Sequence, residues 1–271
     1  MSRYLDNPAG RLQAMLSDLR EIGPNTPVRH AWAKVLGIRA DDLPEFVRRF
    51  GLLVSLPGQI RAEVDALEDV DPDMLLRHLP DVEAALEESL ASPNAALGNV
   101  FAKYDSTALF ALEACSDYLH RRRAESVISD DGLKEIVEKT RELIDYVLQS
   151  DIPDDLKTFL LTRLREIEQA VQDIQIRGTQ ALVDVLERTA GALAMRPGLY
   201  ERLKVQEPVW SMFAAVLSII ASIAQVTAIM LTPGPSSSSE EVTGPPEARI
   251  QLVLTGDANA DMGELTADDN A

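Results

Sequence analysis

The chain has 271 residues, enough for one or two domains, and 46% of them are apolar, so it can bury a hydrophobic core. Its formal net charge is −18, which argues against nucleic acid as the main partner, because phosphate binding needs clustered lysine and arginine. The same negative charge disfavours broad adsorption to anionic lipid.

Residues 1–128 predict a series of short helices, which we treat as an N-terminal helical region. Proline follows a polar residue at Asn7-Pro8, Thr26-Pro27, Asp71-Pro72 and Ser92-Pro93. A capping residue followed by proline is typical of the first turn of a helix. Apolar residues at helical spacing follow each of these pairs, so each helix should bury one face.

Residues 129–207 show the clearest helical period. Three apolar stripes with three- and four-residue spacing run over residues 133–148, 156–174 and 181–193. Asp151-Ile152-Pro153 and Arg177-Gly178 separate them. Three amphipathic helices with short connections are expected to pack as an antiparallel bundle against the N-terminal region. The predicted fold class is therefore all-α.

Residues 208–232 are predicted to form one long apolar helix that spans a membrane. No charged residue and no histidine occurs from Val209 to Leu231. At about 1.5 Å per residue, these 23 or so residues reach about 35 Å, enough to cross a hydrocarbon core of about 30 Å. Trp210 near its start fits a membrane-interface anchor. The alternative is a buried core helix, or an oligomer interface, of a soluble helical protein.

Flanking charge predicts the orientation of this helix. Arginine and lysine are frequent before it, whereas only Arg249 lies within about 20 residues after it, so the N-terminal side should be cytoplasmic. The N-terminus lacks the apolar core of a signal peptide, and the single Cys115 favours a reducing compartment. We therefore expect a single-pass protein of the plasma (inner) membrane, and otherwise a cytoplasmic protein.

Small residues suggest an oligomer interface within the apolar helix. Ala214, Ser218 and Ser222 recur every four positions, and Gln225 lies close to them. In lipid, small side chains let helices approach closely, and amide or hydroxyl groups can bond across the contact. The prediction is a homo-oligomer; the alternative is that alanine and serine are simply frequent here. Residues 233–271 are strongly acidic and predict a disordered tail.

Catalytic, metal and cofactor sites have no support in the sequence. His30, His78 and His120 are widely separated, so zinc-ligand spacing is absent, and no phosphate-binding glycine motif occurs. We expect no enzyme activity, metal or cofactor. Arg121, Arg122 and Arg123 form the densest basic cluster, which predicts either an anion or partner patch or the C-terminal end of a helix.

These features predict a membrane-anchored helical interaction or scaffold protein whose partners are the lipid bilayer and a protein or a second copy. A sharper version is an oligomerising effector whose clustering would damage the membrane. The alternative is a soluble helical binding protein, and an enzyme with a site assembled across helices is a third hypothesis. Residues 151–191 resemble segments of uncharacterised bacterial proteins with a helical region and a late hydrophobic helix; the resemblance identifies no family and implies no activity.

Overall fold

The computed structural model describes residues 4–223, and the regular structure in that range is helical, which confirms the all-α prediction. Residues 224–231 of the predicted span, Gln225 and the acidic tail lie outside the described residues. The helices are α1 (Pro8–Arg20), α2 (Val28–Val35), α3 (Leu43–Val54), α4 (Leu56–Asp65), α5 (Pro72–Leu75), α6 (Leu79–Ala91), α7 (Gly98–Phe101), α8 (Ser106–Arg123), α9 (Asp130–Gln149), α10 (Asp154–Arg177), α11 (Gln180–Ala194), α12 (Pro197–Lys204) and α13 (Glu207–Ile223).

Side-chain caps start several helices where the sequence predicts them. The Asn7 side chain accepts a hydrogen bond from the Gly10 amide, and Asp71 caps α5 in the same way. The helix expected after Pro93 begins only at Gly98. The reason is a pairing across the chain: the amides of Val28 and Arg29 donate to the carbonyls of residues 95 and 93.

Helices α1 to α8 enclose the first hydrophobic core. Trp32 and Phe50 are fully buried there, and their rings meet edge to face with centroids 5.4 Å apart. The Trp32 indole N–H donates to the Ser89 hydroxyl at 3.0 Å, which satisfies the one polar atom of the ring. Eight helices, two of them four residues long, are thereby held around one centre.

Helices α9, α10, α11 and α13 form a four-helix bundle around the second core. Helix α9 contacts α10, α10 contacts α11, α11 contacts α13, and α13 returns to α9, so the four helices close a ring. Short connections make the first three antiparallel neighbours. Helix α12 forms the corner before α13, and the two axes differ by 111°. The expected three-helix bundle therefore has a fourth helix, supplied by the apolar segment.

Helix α10 belongs to both cores. Its first two thirds carry the second-core residues Leu156, Leu160, Leu164 and Ile167, whereas Ile176 near its end is buried in the first core. A helix of 24 residues is about 36 Å long, so it reaches from one core into the other. The N-terminal region and the bundle are connected through this one helix as well as through the α8–α9 loop.

Candidate functional site

The apolar helix α13 packs one face against the bundle. Val209, Phe213, Val216, Leu217 and Ile220 are buried in the second core, with Phe213 and Ile220 fully inaccessible. Their spacing of three and four residues makes a single stripe on the helix. This stripe completes the apolar interior that α9 and α11 would otherwise expose.

The opposite face of α13 carries small and hydroxyl side chains. Ser211, Ala215, Ser218 and Ser222 are exposed along it, and the Ser222 hydroxyl donates to the Ile219 carbonyl of its own helix. Of the predicted oligomer interface, the structure places Ser218 and Ser222 on this outer face. Ala214 is half-buried, and Gln225 lies outside the described residues.

Trp210, the predicted membrane-interface anchor, is half-buried at the corner between α12 and α13. Its ring meets Tyr200 of α12 edge to face, with centroids 5.5 Å apart, and lies 6.5 Å from the Phe213 ring. The indole thus takes part in the contact that sets the bend between the two helices.

The length and composition of the helices bear on the predicted membrane span. Within residues 4–223, no single helix is both long enough and apolar enough to cross a bilayer. One bent pair, Pro197–Lys204 with Glu207–Ser222, satisfies these requirements when its two helices are taken together.

Each arginine of the predicted anion patch faces a carboxylate. Arg121 pairs with Asp117 at 2.7 Å, one turn earlier on α8. Arg122 lies 3.5 Å from Asp69 and over the Tyr118 ring, and Arg123 lies 3.3 Å from Glu63. The cluster ends α8, where positive side chains suit the helix dipole. Its charge is therefore largely balanced by neighbouring acidic residues.

A group of charged residues at the junction of the two cores was not predicted. Asp173 of α10 is 4% exposed, and its two carboxylate oxygens accept from the Arg48 guanidinium at 2.6 and 2.8 Å. Arg48 also pairs with Glu45 at 2.8 Å. Hydrogen bonds from Arg48, and then from Arg49, lower the pKa of Glu45 to about 2, although partial burial opposes the shift.

Arg49 and Arg11 complete this junction. Arg49 donates to Glu45, to the Leu36 carbonyl and to the side chain of Gln172 on α10. Arg11 is 3% exposed and donates to the Ile176 carbonyl at 3.0 Å. Both arginines thus tie the N-terminal core to the last turns of α10.

Arg11 also holds the connection between α8 and α9. It forms a bidentate pair with Glu125, at 2.7 and 3.1 Å. Gly178, which ends α10, has a φ of 61°. A Cβ there would lie 2.4 Å from the Glu125 carboxylate and 2.5 Å from Arg11, so only glycine fits beside this pair.

No metal-binding group is apparent in residues 4–223, because no three histidine, cysteine or acidic side chains converge there. Cys115 is buried, and burial raises the pKa of its thiol to about 11. His120 contacts the Asp6 carboxylate and stacks on Tyr4 instead of facing Cys115. The arrangement is that of an unreactive thiol.

Comparison with known proteins gives no assignment: no protein family, no curated protein and no solved structure matches the chain.

Proposed function

We propose that this protein is a helical interaction or scaffold protein that keeps residues 209–223 as a core helix of its own bundle. The single observation that carries this proposal is the burial of the α13 stripe, with Phe213 and Ile220 fully inaccessible between α9 and α11. Two cores held together by buried ion pairs offer partners a large and fixed helical surface.

Geometry makes core packing and membrane spanning mutually exclusive for this segment. A helix as short as the stretch 224–231 would be about 12 Å long, less than half of a hydrocarbon core of about 30 Å. A span therefore needs the residues that fill the bundle. If α13 left the bundle, the apolar faces of α9 and α11 would be exposed to water. Each Å² of apolar surface exposed in this way costs about 25 cal/mol of free energy.

Two substitutions in α13 separate the alternatives. Ser218→Arg puts a charge near the middle of residues 209–231 but on the exposed face of the folded helix. It should raise the free energy of inserting this helix into a membrane by about 2.5–3.5 kcal/mol, and it should leave the denaturant midpoint of the folded bundle unchanged. Phe213→Ala should do the reverse: it destabilises the bundle and changes insertion energy by less than about 1 kcal/mol.

Carbonate extraction and denaturant unfolding of the full chain and both variants provide the readout. The proposal predicts recovery without detergent for all three proteins, with only Phe213→Ala losing stability. A chain ending after Ile223 is the matched truncation, since it keeps the core helix, whereas one ending at Glu207 removes it. A full-length protein that needs detergent, and loses that need in Ser218→Arg, overturns the proposal.

A second candidate is the membrane-anchored scaffold, including the oligomerising effector. It is favoured by the uncharged run that continues past α13 and by the bent α12–α13 pair that meets the requirements of a span. In this form α13 leaves the bundle before it inserts. If the anchored protein is an effector, forced oligomerisation of the full chain in cells should lower membrane potential, and Ser218→Arg should restore it. Unchanged growth and potential would exclude the effector version, and full-length protein recovered without detergent would exclude the anchor itself.

A further inference from the structure

A notch between α1 and α8, in the N-terminal core, forms a second surface that has no role so far. Its volume is about 300 Å³, the lower end for a small-ligand site. Tyr4 and Phe110 supply aromatic rings, Gly10 and Ala114 are small, and Glu113 and Asp117 carry the charge. Phe110 is 66% exposed, although a side chain of this size is normally buried.

The Tyr4 side of the notch is held in place by a polar network. Its ring stacks on His120 with centroids 3.8 Å apart, and His120 contacts the Asp6 carboxylate. The carbonyl of Tyr4 accepts from the Ser116 hydroxyl at 3.4 Å. A wall fixed before binding loses little entropy when a ligand arrives.

Gly10 is required for this arrangement. A Cβ at this position would lie 1.7 Å from the Tyr4 carbonyl oxygen and 2.5 Å from the Ser116 hydroxyl. Any larger residue would therefore push the Tyr4 segment away from α8. The close approach of backbone to backbone forms one side of the notch.

The charge of the notch selects a cation. Its two charged lining residues are acidic; Asp117 already pairs with Arg121, whereas Glu113 forms no ion pair within residues 4–223. Aromatic faces attract cations, and a carboxylate accepts two parallel hydrogen bonds from a guanidinium. A guanidinium satisfies both conditions at once, because it can stack on a ring and pair with Glu113.

We propose that this notch binds an arginine side chain presented by a protein partner, with Glu113 as the charge partner and Phe110 as the stacking surface. This inference rests on the proposed function as a helical interaction protein. The notch lies in the N-terminal core, whereas α13 belongs to the four-helix bundle. The test of this inference uses a small molecule, so its failure can be distinguished from a wrong assignment of α13.

The experiment titrates the full chain with N-acetyl-L-arginine amide, followed by NMR of backbone amides. N-acetyl-L-citrulline amide, which has the same shape without the charge, is the ligand control. We expect millimolar binding of the arginine compound with shifts at Gly10 and Ala114, and binding of citrulline at least about fivefold weaker. Equal affinity for the two compounds, or no shift at these amides, overturns the proposal.

Three variants of the full chain complete the test. Glu113→Gln should weaken arginine binding at least about fivefold and Phe110→Ala about threefold, while Glu138→Gln on the exposed face of α9 should leave it unchanged. If neither notch variant weakens binding, the site is wrong.

Discussion

The N-terminal core and the four-helix bundle hold their helices by different means. Polar side chains buried in the first core reach across it to other helices and loops: Asp6, Asn7, Arg11, Arg49, Ser89 and Ser116. In the bundle, the buried Thr189 hydroxyl donates to the Val185 carbonyl of its own helix. The ion pairs between bundle helices, Arg141–Glu168 and Arg177–Asp184, lie at partly exposed positions, so the buried contact between these helices is almost entirely apolar.

Helix length explains this difference. The first core is built from helices of 4 to 18 residues, and short helices have narrow apolar faces that fix neither their order nor their register. Buried hydrogen bonds supply that specificity, because a misplaced partner leaves a polar group unsatisfied. The bundle helices of 15 to 24 residues have stripes long enough to align by packing alone.

The largest expected effect comes from removing apolar volume in the bundle. Phe213→Ala should lower the free energy of unfolding by about 3–5 kcal/mol, because a fully buried ring leaves a cavity that α9 and α11 cannot close. Ser218→Ala on the outer face should change it by less than about 0.5 kcal/mol. Chemical denaturation measures both; similar values for the two variants would show that α13 is not a core helix.

The next effect concerns the junction between the two regions. Asp173→Asn should cost about 2–3 kcal/mol, because Arg48 and Arg49 lose the buried carboxylate between them while Glu45 remains. With this link weakened, the two cores should unfold in separate transitions, each reported by its own tryptophan, Trp32 or Trp210. The measurement is fluorescence during denaturant unfolding of the full chain.

The matched control is Asp155→Asn, which removes an exposed pair with Arg202. It should leave both the free energy of unfolding and the transitions close to those of the unchanged chain, because solvent screens an exposed ion pair. If Asp173→Asn is as mild as this control, the ion pairs at the junction do not couple the two cores.

The sequence predicts the bundle stripes and the caps at Asn7 and Asp71 because these signals are local, whereas Thr26 and Ser92, predicted in the same way, cap no helix. The local pattern of α13 is ambiguous, because its outer face carries serine and alanine where α9 has lysine and glutamate. A core helix without charges on its outer face has the composition of a membrane span. The packing of Phe213 against other helices of the bundle depends on residues far away in the chain, so no local pattern predicts it.

One residue of the junction did carry a sequence signal. Asp173 occupies an apolar register of α10, three residues after Ala170 and three before Ile176, both buried. A carboxylate in such a position needs a charged partner, although the sequence does not say which. Arg11 carried no such signal, because Glu125, its partner, is 114 positions away in the chain.

A smaller effect is expected from the caps, and it separates a buried cap from an exposed one. Asn7→Ala should cost about 2 kcal/mol: it removes the cap of α1 and also the hydrogen bonds that the Asn7 amide donates to Asp6 and to the Ser116 carbonyl. Asp105→Ala, at the exposed cap of α8, should lower stability less than Asn7→Ala, because it removes a cap and no buried hydrogen bond. Thermal unfolding measures the loss of stability in each variant. Equal losses would show that the buried hydrogen bonds of Asn7 do not stabilise the N-terminal core beyond the helix cap.

The smallest effect is the acid dependence of the junction, and its sign follows from Glu45. Because Arg48 and Arg49 lower its folded pKa to about 2 from an ordinary 4.5, its ionised form stabilises the fold above pH 4.5. This contribution, about 1 kcal/mol after solvent screening, is lost as the pH falls from about 4.5 to about 2. Glu45→Gln should therefore destabilise the chain at pH 7 and differ little from the unchanged chain near pH 2.

Denaturant midpoints at several pH values measure the gap in stability between Glu45→Gln and the unchanged chain. Glu187→Gln on the exposed face of α11 is the control. A gap that stays constant with pH would mean that the charge of Glu45 contributes nothing to the stability of the junction.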